Sequence, residues 1–273
     1  MKEKHQAYLN RRIAVPGEFE EVFSHFYYAV NQSDQTVTKT LLPSYQTIMV
    51  FNFGAKALLH SPQNTHIEMG RCLVLGPIKQ AFAYSLPVAS EILVVNFKND
   101  AFFRFFGVAA VRESLPVNPD ELSEENCFTA LWYELNKIEN TSDRVNRILA
   151  FCRPYLGEQN SIVKQLSGFE NNLLNPVKTI AYQNKQSERN IQLRHKMHLG
   201  YSAKELSRYQ RFLTAIEHVQ HMASTASKVD WLEIVSRCNY YDQSQLIRDF
   251  KYYLNLSPTN YLKFQQDICN PKS

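Results

Sequence analysis

The hydrophobic pattern changes its period near residue 100. Before that point, short runs rich in Val, Ile, Phe and Tyr are separated by turn-forming Gly, Pro and Ser residues, which is typical of β-strands. The predicted strands cover residues 23–30, 47–53, 71–75, 81–86 and 92–97. Several short strands at this spacing predict a β-sandwich or a small barrel.

After residue 100 the apolar residues recur at helical spacing, which predicts helices at 100–108, 123–138 and 142–155. Beyond residue 156 the chain is helical in pattern, and capping residues mark the helix starts at Asn175-Pro176, Ser187, Asp230, Asp242 and Ser257-Pro258. The predicted fold class is therefore α+β with two domains. A β-rich sandwich or barrel domain with trailing helices covers 1–156, a linker covers 157–165, and an all-α domain covers 166–273.

Two segments of the helical domain share one arrangement. Short helices at 177–182 and 231–237 are each followed by a turn and a second helix, at 187–197 and 242–253. In a helix-turn-helix this second helix, here called the reading helix, enters the major groove of DNA. An amphipathic helix at about 202–222 lies between the two segments and spans about 30 Å. This length is close to the repeat of B-DNA, about 34 Å, so two reading helices could enter successive major grooves.

Charge supports a polyanionic partner for the helical half. The whole chain carries a formal charge of +4. Residues 156–273 hold 15 Lys and Arg against 10 Asp and Glu, whereas residues 1–155 hold 15 against 16. Residues 177–212 hold eight basic residues against two acidic ones. A local excess of this size is expected where a domain meets DNA, although a solvated helical surface produces it too.

The helical half also resembles a known family. The segment 240–250, with 256–258 and 261–262 after it, closely resembles the second helix-turn-helix of AraC/XylS-type transcriptional regulators. Segments 187–189, 204–206 and 211–212, with Gly200, resemble the first unit and the linker helix of that family. Upstream, 74–77, 94–97 and 101–107 look like the β-rich, cupin-like sensor domain of one branch of these regulators.

The resemblance implies which side chains meet DNA. The base-facing positions fall on Gln243, Ser244 and Arg248 in the second unit and on Arg189, Gln192 and Leu193 in the first. The base readers implied are the five polar residues among them. Gln can bond the edge of adenine and Arg the edge of guanine, each with two hydrogen bonds. The phosphate contacts implied are Ser187, Arg194, Lys196, Gln245 and Lys251. Leu246 and Phe250 are assigned to the core.

The first unit departs from the family pattern. Its turn is Asn184-Lys185-Gln186 where the family has Leu-Gly-apolar, so Lys185 occupies a position that commonly needs φ > 0. Leu193 stands where an arginine reader is usual, and His195 stands where a core Phe is usual. These departures favour a first unit that mainly holds the DNA backbone, with base choice left to the second.

The sequence thus predicts a cytoplasmic, sequence-specific DNA-binding transcriptional regulator that responds through its N-terminal domain to a ligand or partner. The partners implied are promoter DNA, a small-molecule effector, a second copy of the chain in a homodimer and, for an activator, RNA polymerase. The main alternative is a sensor or interaction protein whose helical domain no longer reads specific DNA.

A third interpretation is a cupin-like metalloenzyme built on His60, His66 and Glu68, but the two histidines are six residues apart in a polar turn. We therefore expect that the protein is not an enzyme and binds no metal or cofactor. We expect these histidines to lie on a solvent-exposed loop. The pairs His195/His198 and His218/His221 are expected to face solvent as well. The five scattered cysteines are expected to be reduced.

Overall fold

Two antiparallel sheets form the first half of the chain, in a computed structural model that describes residues 8–60, 66–110, 116–123, 126–155, 157–167, 175–225 and 229–269. The nine strands are β1 (Tyr8–Ile13), β2 (Phe23–Asn31), β3 (Val37–Leu41), β4 (Ile48–Gly54), β5 (Leu58–His60), β6 (His66–Glu68), β7 (Cys72–Leu75), β8 (Phe82–Leu86) and β9 (Ser90–Phe97). One sheet has the order β1-β2-β9-β4-β7, and the other has the order β3-β8-β5-β6. The predicted β-rich sandwich is confirmed, and all five predicted strands are present.

The central strands β4 and β9 are buried on both faces. Successive side chains of a strand point to opposite faces. Met49 and Phe51 therefore join the core that includes helical residues such as Phe128, whereas Ile48 and Val50 join the core that includes the second sheet. This double burial explains why both strands are almost continuously apolar in sequence.

Eleven α-helices are found among the described residues, and two short 3-10 turns accompany them. They are α1 (Ala101–Phe106), α2 (Asp120–Ser123), α3 (Cys127–Leu135), α4 (Thr141–Cys152), α5 (Ser161–Ser167), α6 (Pro176–Gln183), α7 (Glu188–Leu199), α8 (Ala203–Thr225), α9 (Trp231–Arg237), α10 (Gln243–Leu254) and α11 (Pro258–Cys269). The predicted caps are formed: Asn175 accepts from Lys178 N–H, and Asp230 accepts from the N–H groups of Leu232 and Glu233. Each cap satisfies backbone donors that have no partner inside the helix.

The described chain separates into two compact units. The first comprises residues 1–78 and 82–202, and the second comprises 79–81 and 203–273. Helices α5 to α7 therefore belong to the first unit, and α8 to α11 belong to the second. The predicted linker at 157–165 overlaps helix α5, which begins at Ser161. The domain boundaries drawn from sequence thus remain a prediction, and the contacts within the chain group its helices differently.

The four cysteines that the structure describes are free thiols, as expected: Cys72, Cys127, Cys152 and Cys238. Burial raises the pKa of the Cys152 thiol to about 12, which makes it a poor nucleophile near neutral pH. None of the described helices combines the length and the apolar character that a membrane crossing requires.

Replacing Phe51 by Ala tests the importance of the doubly buried sheet. Phe51 is fully buried on β4, so Phe51→Ala is expected to lower the free energy of unfolding by about 3–5 kcal/mol. The control Val88→Ala removes methyl groups from a side chain that is 48% exposed, and we expect a change below about 0.5 kcal/mol. Urea unfolding of the full chain measures both, and similar losses would contradict the assignment of Phe51 to the core.

Candidate nucleic-acid interface

The two helix-turn-helix units are built alike at the level of the backbone. The reading helices α7 and α10 each contain 12 residues. Ser187 caps α7 by accepting from Asn190 N–H, and Asp242 caps α10 by accepting from Gln245 N–H. Thirteen residues after its cap, each helix ends at a left-handed residue, Gly200 or Asn255. Positions in the two helices can therefore be compared by their distance from the cap.

The turns before the reading helices also share one conformation. Lys185 has φ 51° and Asn239 has φ 56°, so both lie in the left-handed region. In both turns the next N–H reaches back to the preceding helix, from Gln186 to Ala181 O at 2.9 Å and from Tyr240 to Val235 O at 3.0 Å. The predicted positive φ at Lys185 is confirmed. The second turn is one residue longer before its cap.

All five predicted base-reading side chains are exposed on the reading helices. Gln243 and Ser244 lie one and two residues after the cap of α10, and Arg248 lies one helical turn further on. On α7, Arg189 and Gln192 lie two and five residues after the cap. These spacings put each set on one face of its helix. The structure is thus compatible with the predicted roles, which stay predictions.

The predicted phosphate contacts divide into residues at the start of a reading helix and basic side chains further along it. Ser187 is the cap of α7, and Gln245 accepts from Tyr241 N–H at 2.9 Å, so both help to fix the start of a reading helix. Lys196 and Lys251 lie at the same distance from their caps and are both exposed. Arg194 is half-buried.

The second reading helix is anchored by a buried carboxylate that sequence analysis missed. Asp249 is 1% exposed on α10. Its oxygens accept from Arg208 Nε at 2.7 Å and from Arg211 at 3.0 Å, both on α8. The Arg211 guanidinium also lies 4.4 Å from the Tyr240 ring. The sequence does carry a signal for this ionic contact, because Asp249 lies on the same helix face as the core residues Leu246 and Tyr253.

The aromatic surroundings of this carboxylate are consistent with burial. Burial, followed by the charge of Asp249, raises the pKa of Tyr240. Burial also raises the pKa of Tyr209, on α8, to about 12. The Tyr209 and Tyr253 rings lie 5.4 Å apart. The hydroxyl groups of Tyr240 and Tyr209 therefore stay neutral at physiological pH, and the two arginines supply the positive charge next to Asp249.

The first reading helix is anchored differently, by contacts inside the first compact unit. His195 is buried, and its Nδ1–H donates to Tyr201 O at 2.8 Å. The expectation that His195 faces solvent was therefore wrong, and His195 occupies a core position. Gly200 ends the helix with φ 77°, and a Cβ there would meet Ala109 O at 2.8 Å. Only glycine fits this close approach without strain.

His198 joins α7 to helix α1, contrary to the expectation that it faces solvent. Its ring lies 4.2 Å from the Phe103 ring, and its Nδ1 lies 3.9 Å from a carboxylate oxygen of the buried Asp100. Burial lowers the pKa of His198, although the charge of Asp100 opposes this shift. Arg104 Nε also approaches Asp100, at 3.3 Å. The α1–α7 contact therefore includes the packing of the His198 ring against Phe103.

The histidines of the metalloenzyme interpretation lie on strands, not on a loop as expected. His60 and His66 are register partners in β5 and β6, and their rings meet edge to face. His60 Nε2 is bonded to Ser85 Oγ at 2.7 Å, and Glu68 is paired with Lys56. Among the residues that the structure describes, no cluster of three or more potential metal ligands occurs.

Comparison with known families identifies the second unit. Residues 223–263 match the bacterial regulatory helix-turn-helix proteins of the AraC family. This segment contains α9 and α10, so the resemblance seen in the sequence is confirmed there. The second unit is a DNA-binding helix-turn-helix of the type found in these transcription regulators.

The chain is similar to ToxT from Vibrio cholerae, with 13% identity over 94% of this chain and 98% of that chain, and a TM-score of 0.41. It is also similar to unsaturated fatty acid bound wild-type ToxT from Vibrio cholerae strain SCE256, with 13% identity over 96% and 97% of the two chains and a TM-score of 0.38. No curated protein matches the chain.

The left-handed turn residue gives a test of the first unit. Lys185→Gly is expected to raise the free energy of unfolding by about 0.5–1 kcal/mol, because glycine adopts φ 51° without the steric cost that a Cβ carries. The control Lys178→Gly, inside α6, is expected to lower it by about 1 kcal/mol. Thermal and urea unfolding measure both, and a loss of stability in both variants would contradict the turn conformation.

The buried carboxylate gives a test of the second unit. Asp249→Ala leaves two arginines without their counter-charge, and we expect the free energy of unfolding to fall by about 3 kcal/mol. Glu233→Ala is the control, since it breaks an exposed pair with Arg237 and is expected to cost less than about 1 kcal/mol. Equal shifts of the urea midpoint would show that Asp249 does not anchor α10.

Proposed function

We propose that the protein is a sequence-specific DNA-binding transcriptional regulator that responds to a ligand or partner through its N-terminal domain. The observation that carries this proposal is the pair of equivalent reading helices. Each has a cap, a polar face and exposed side chains that can bond base edges, and the second lies in the segment that matches the AraC family. A protein that only needed a helical scaffold would not require this repeated arrangement.

The two units divide the work of binding DNA. Gln243 and Arg248 carry the hydrogen-bond donors and acceptors that distinguish adenine and guanine, so the second unit makes most of the choice of sequence. The first unit carries the basic excess of residues 177–212, and Arg194 and Lys196 attract the DNA backbone. Helix α8 has 23 residues and is about 35 Å long, close to the repeat of B-DNA, about 34 Å.

We propose that the response to an effector acts through the first reading helix, α7. The sheets, α1 and the reading helix α7 belong to the same compact unit, and Phe103, Asp100 and His198 connect α1 with α7. A ligand or partner that shifts α1 would therefore shift α7 as well. We further propose two protein partners. One is a second copy of the chain, in a homodimer, and the other is RNA polymerase if the protein is an activator.

Selection of bound sequences from a random pool of duplex DNA, with the full chain, tests the function. We expect enrichment of one motif whose binding survives an excess of competitor DNA at physiological salt. Binding that disappears with competitor and with rising salt, without any enriched motif, would instead support the alternative of an interaction protein that has lost specific reading.

The enriched site allows the two units to be compared. Arg248→Ala is expected to lower affinity for this site by about 10- to 100-fold, the loss typical of a two-bond contact with guanine. Arg189→Ala is expected to lower it less, because we assign this residue to the unit that mainly supplies charge. Titration of the labelled site with each full-length variant measures both, and equal losses would refute the unequal division.

A further inference from the structure

We infer that Leu193 makes the first reading helix specific for thymine, by packing against the 5-methyl group in the major groove. This inference rests on the proposed function and changes one part of it. The first unit then reads at least one base by apolar contact, in addition to holding the backbone.

The place of Leu193 in the helix is the first observation. Leu193 lies six residues after the cap Ser187, and Arg248 lies six residues after the cap Asp242. Arg248 is a predicted base reader in the second unit. Since both helices are capped in the same way and have the same length, Leu193 occupies the equivalent position. It also shares a helix face with Arg189, four residues earlier.

The exposure of Leu193 is the second observation. Leu193 is 60% exposed, and Met197, one turn later on the same face, is 54% exposed. The core side of α7 is supplied by Ile191, His195 and Leu199, all of which are buried. Leu193 therefore contributes little to the packing of α7, and the exposed apolar pair is accessible to a binding partner.

The charges around Leu193 identify that surface as DNA. Arg189 and Lys196 are exposed on the same side of α7, and Arg194 is half-buried beside them. A surface rich in cations suits a polyanion better than a protein. Of the four base pairs, only A·T and T·A present an apolar group in the major groove, which is the thymine methyl. Leucine has no polar side-chain atom, so this methyl is the group that it can recognise.

The inference predicts different bases at equivalent positions of the two half-sites. Arg248 bonds guanine through O6 and N7, whereas Leu193 contacts thymine. Gln192, beside Leu193, can bond adenine through N6 and N7. The half-site of the first unit is thus expected to be richer in A·T pairs than the half-site of the second.

Replacing single thymines by deoxyuridine in the selected site tests the contact, because this removes only the methyl group. For the wild-type full chain, replacement of one thymine in the first half-site is expected to lower the affinity for the site by about 3- to 5-fold. With Leu193→Ala the same replacement is expected to have no effect. Leu193→Met should keep the effect, and Leu193→Arg should shift the preferred base at this position toward guanine.

Leu42→Ala is the matched control, since Leu42 is 52% exposed and lies on neither reading helix. This variant should keep the full response to deoxyuridine. If wild type and Leu193→Ala respond equally at every thymine, the inference about Leu193 is overturned while the regulator proposal stands. If no sequence is enriched in the selection, the proposed function fails, and the inference fails with it.

Discussion

The need to cover both faces of strands β4 and β9 determines the architecture of the first compact unit, residues 1–78 and 82–202. Their apolar side chains alternate between two cores, so a single sheet cannot shield them from water. The second sheet covers one face, and helical residues such as Phe102, Phe128 and Leu149 cover the other. The trailing helices are therefore a structural requirement of the sheet. Helix α1 belongs to this cover and also contacts α7, through the rings of Phe103 and His198.

The two helix-turn-helix units show that one backbone arrangement can be held by different chemistry. In the second unit the reading helix is fixed by an ionic contact, between Asp249 and two arginines of α8. In the first unit it is fixed by a buried histidine, His195, and by the close approach of Gly200 to Ala109. The caps and left-handed turns set the direction of each helix, and these anchors hold it. The faces turned away from the anchors are then free to differ.

Sequence reasoning predicted the apolar strands and the capped helices, because burial and capping leave direct marks in the residue pattern. It missed β1, β3, β5 and β6. β1 and β3 carry polar residues at several exposed positions, and β5 and β6 have only three residues each. The candidate interface was located because caps and spacing are local. The anchor Asp249 and the contact of His198 with α1 were missed because their partners lie far away in sequence. The grouping of α7 with the sheets depends on tertiary contacts that no local pattern records.

The contact between Asp249 and the two arginines restricts how this sequence can evolve. The three residues share one network, so the effects of their substitutions will not add, and a loss at one site alters what is tolerated at the others. Replacement of all three by apolar residues of similar volume could be nearly neutral, whereas each single step toward it leaves a charge uncompensated. Related chains should therefore retain or lose these residues together.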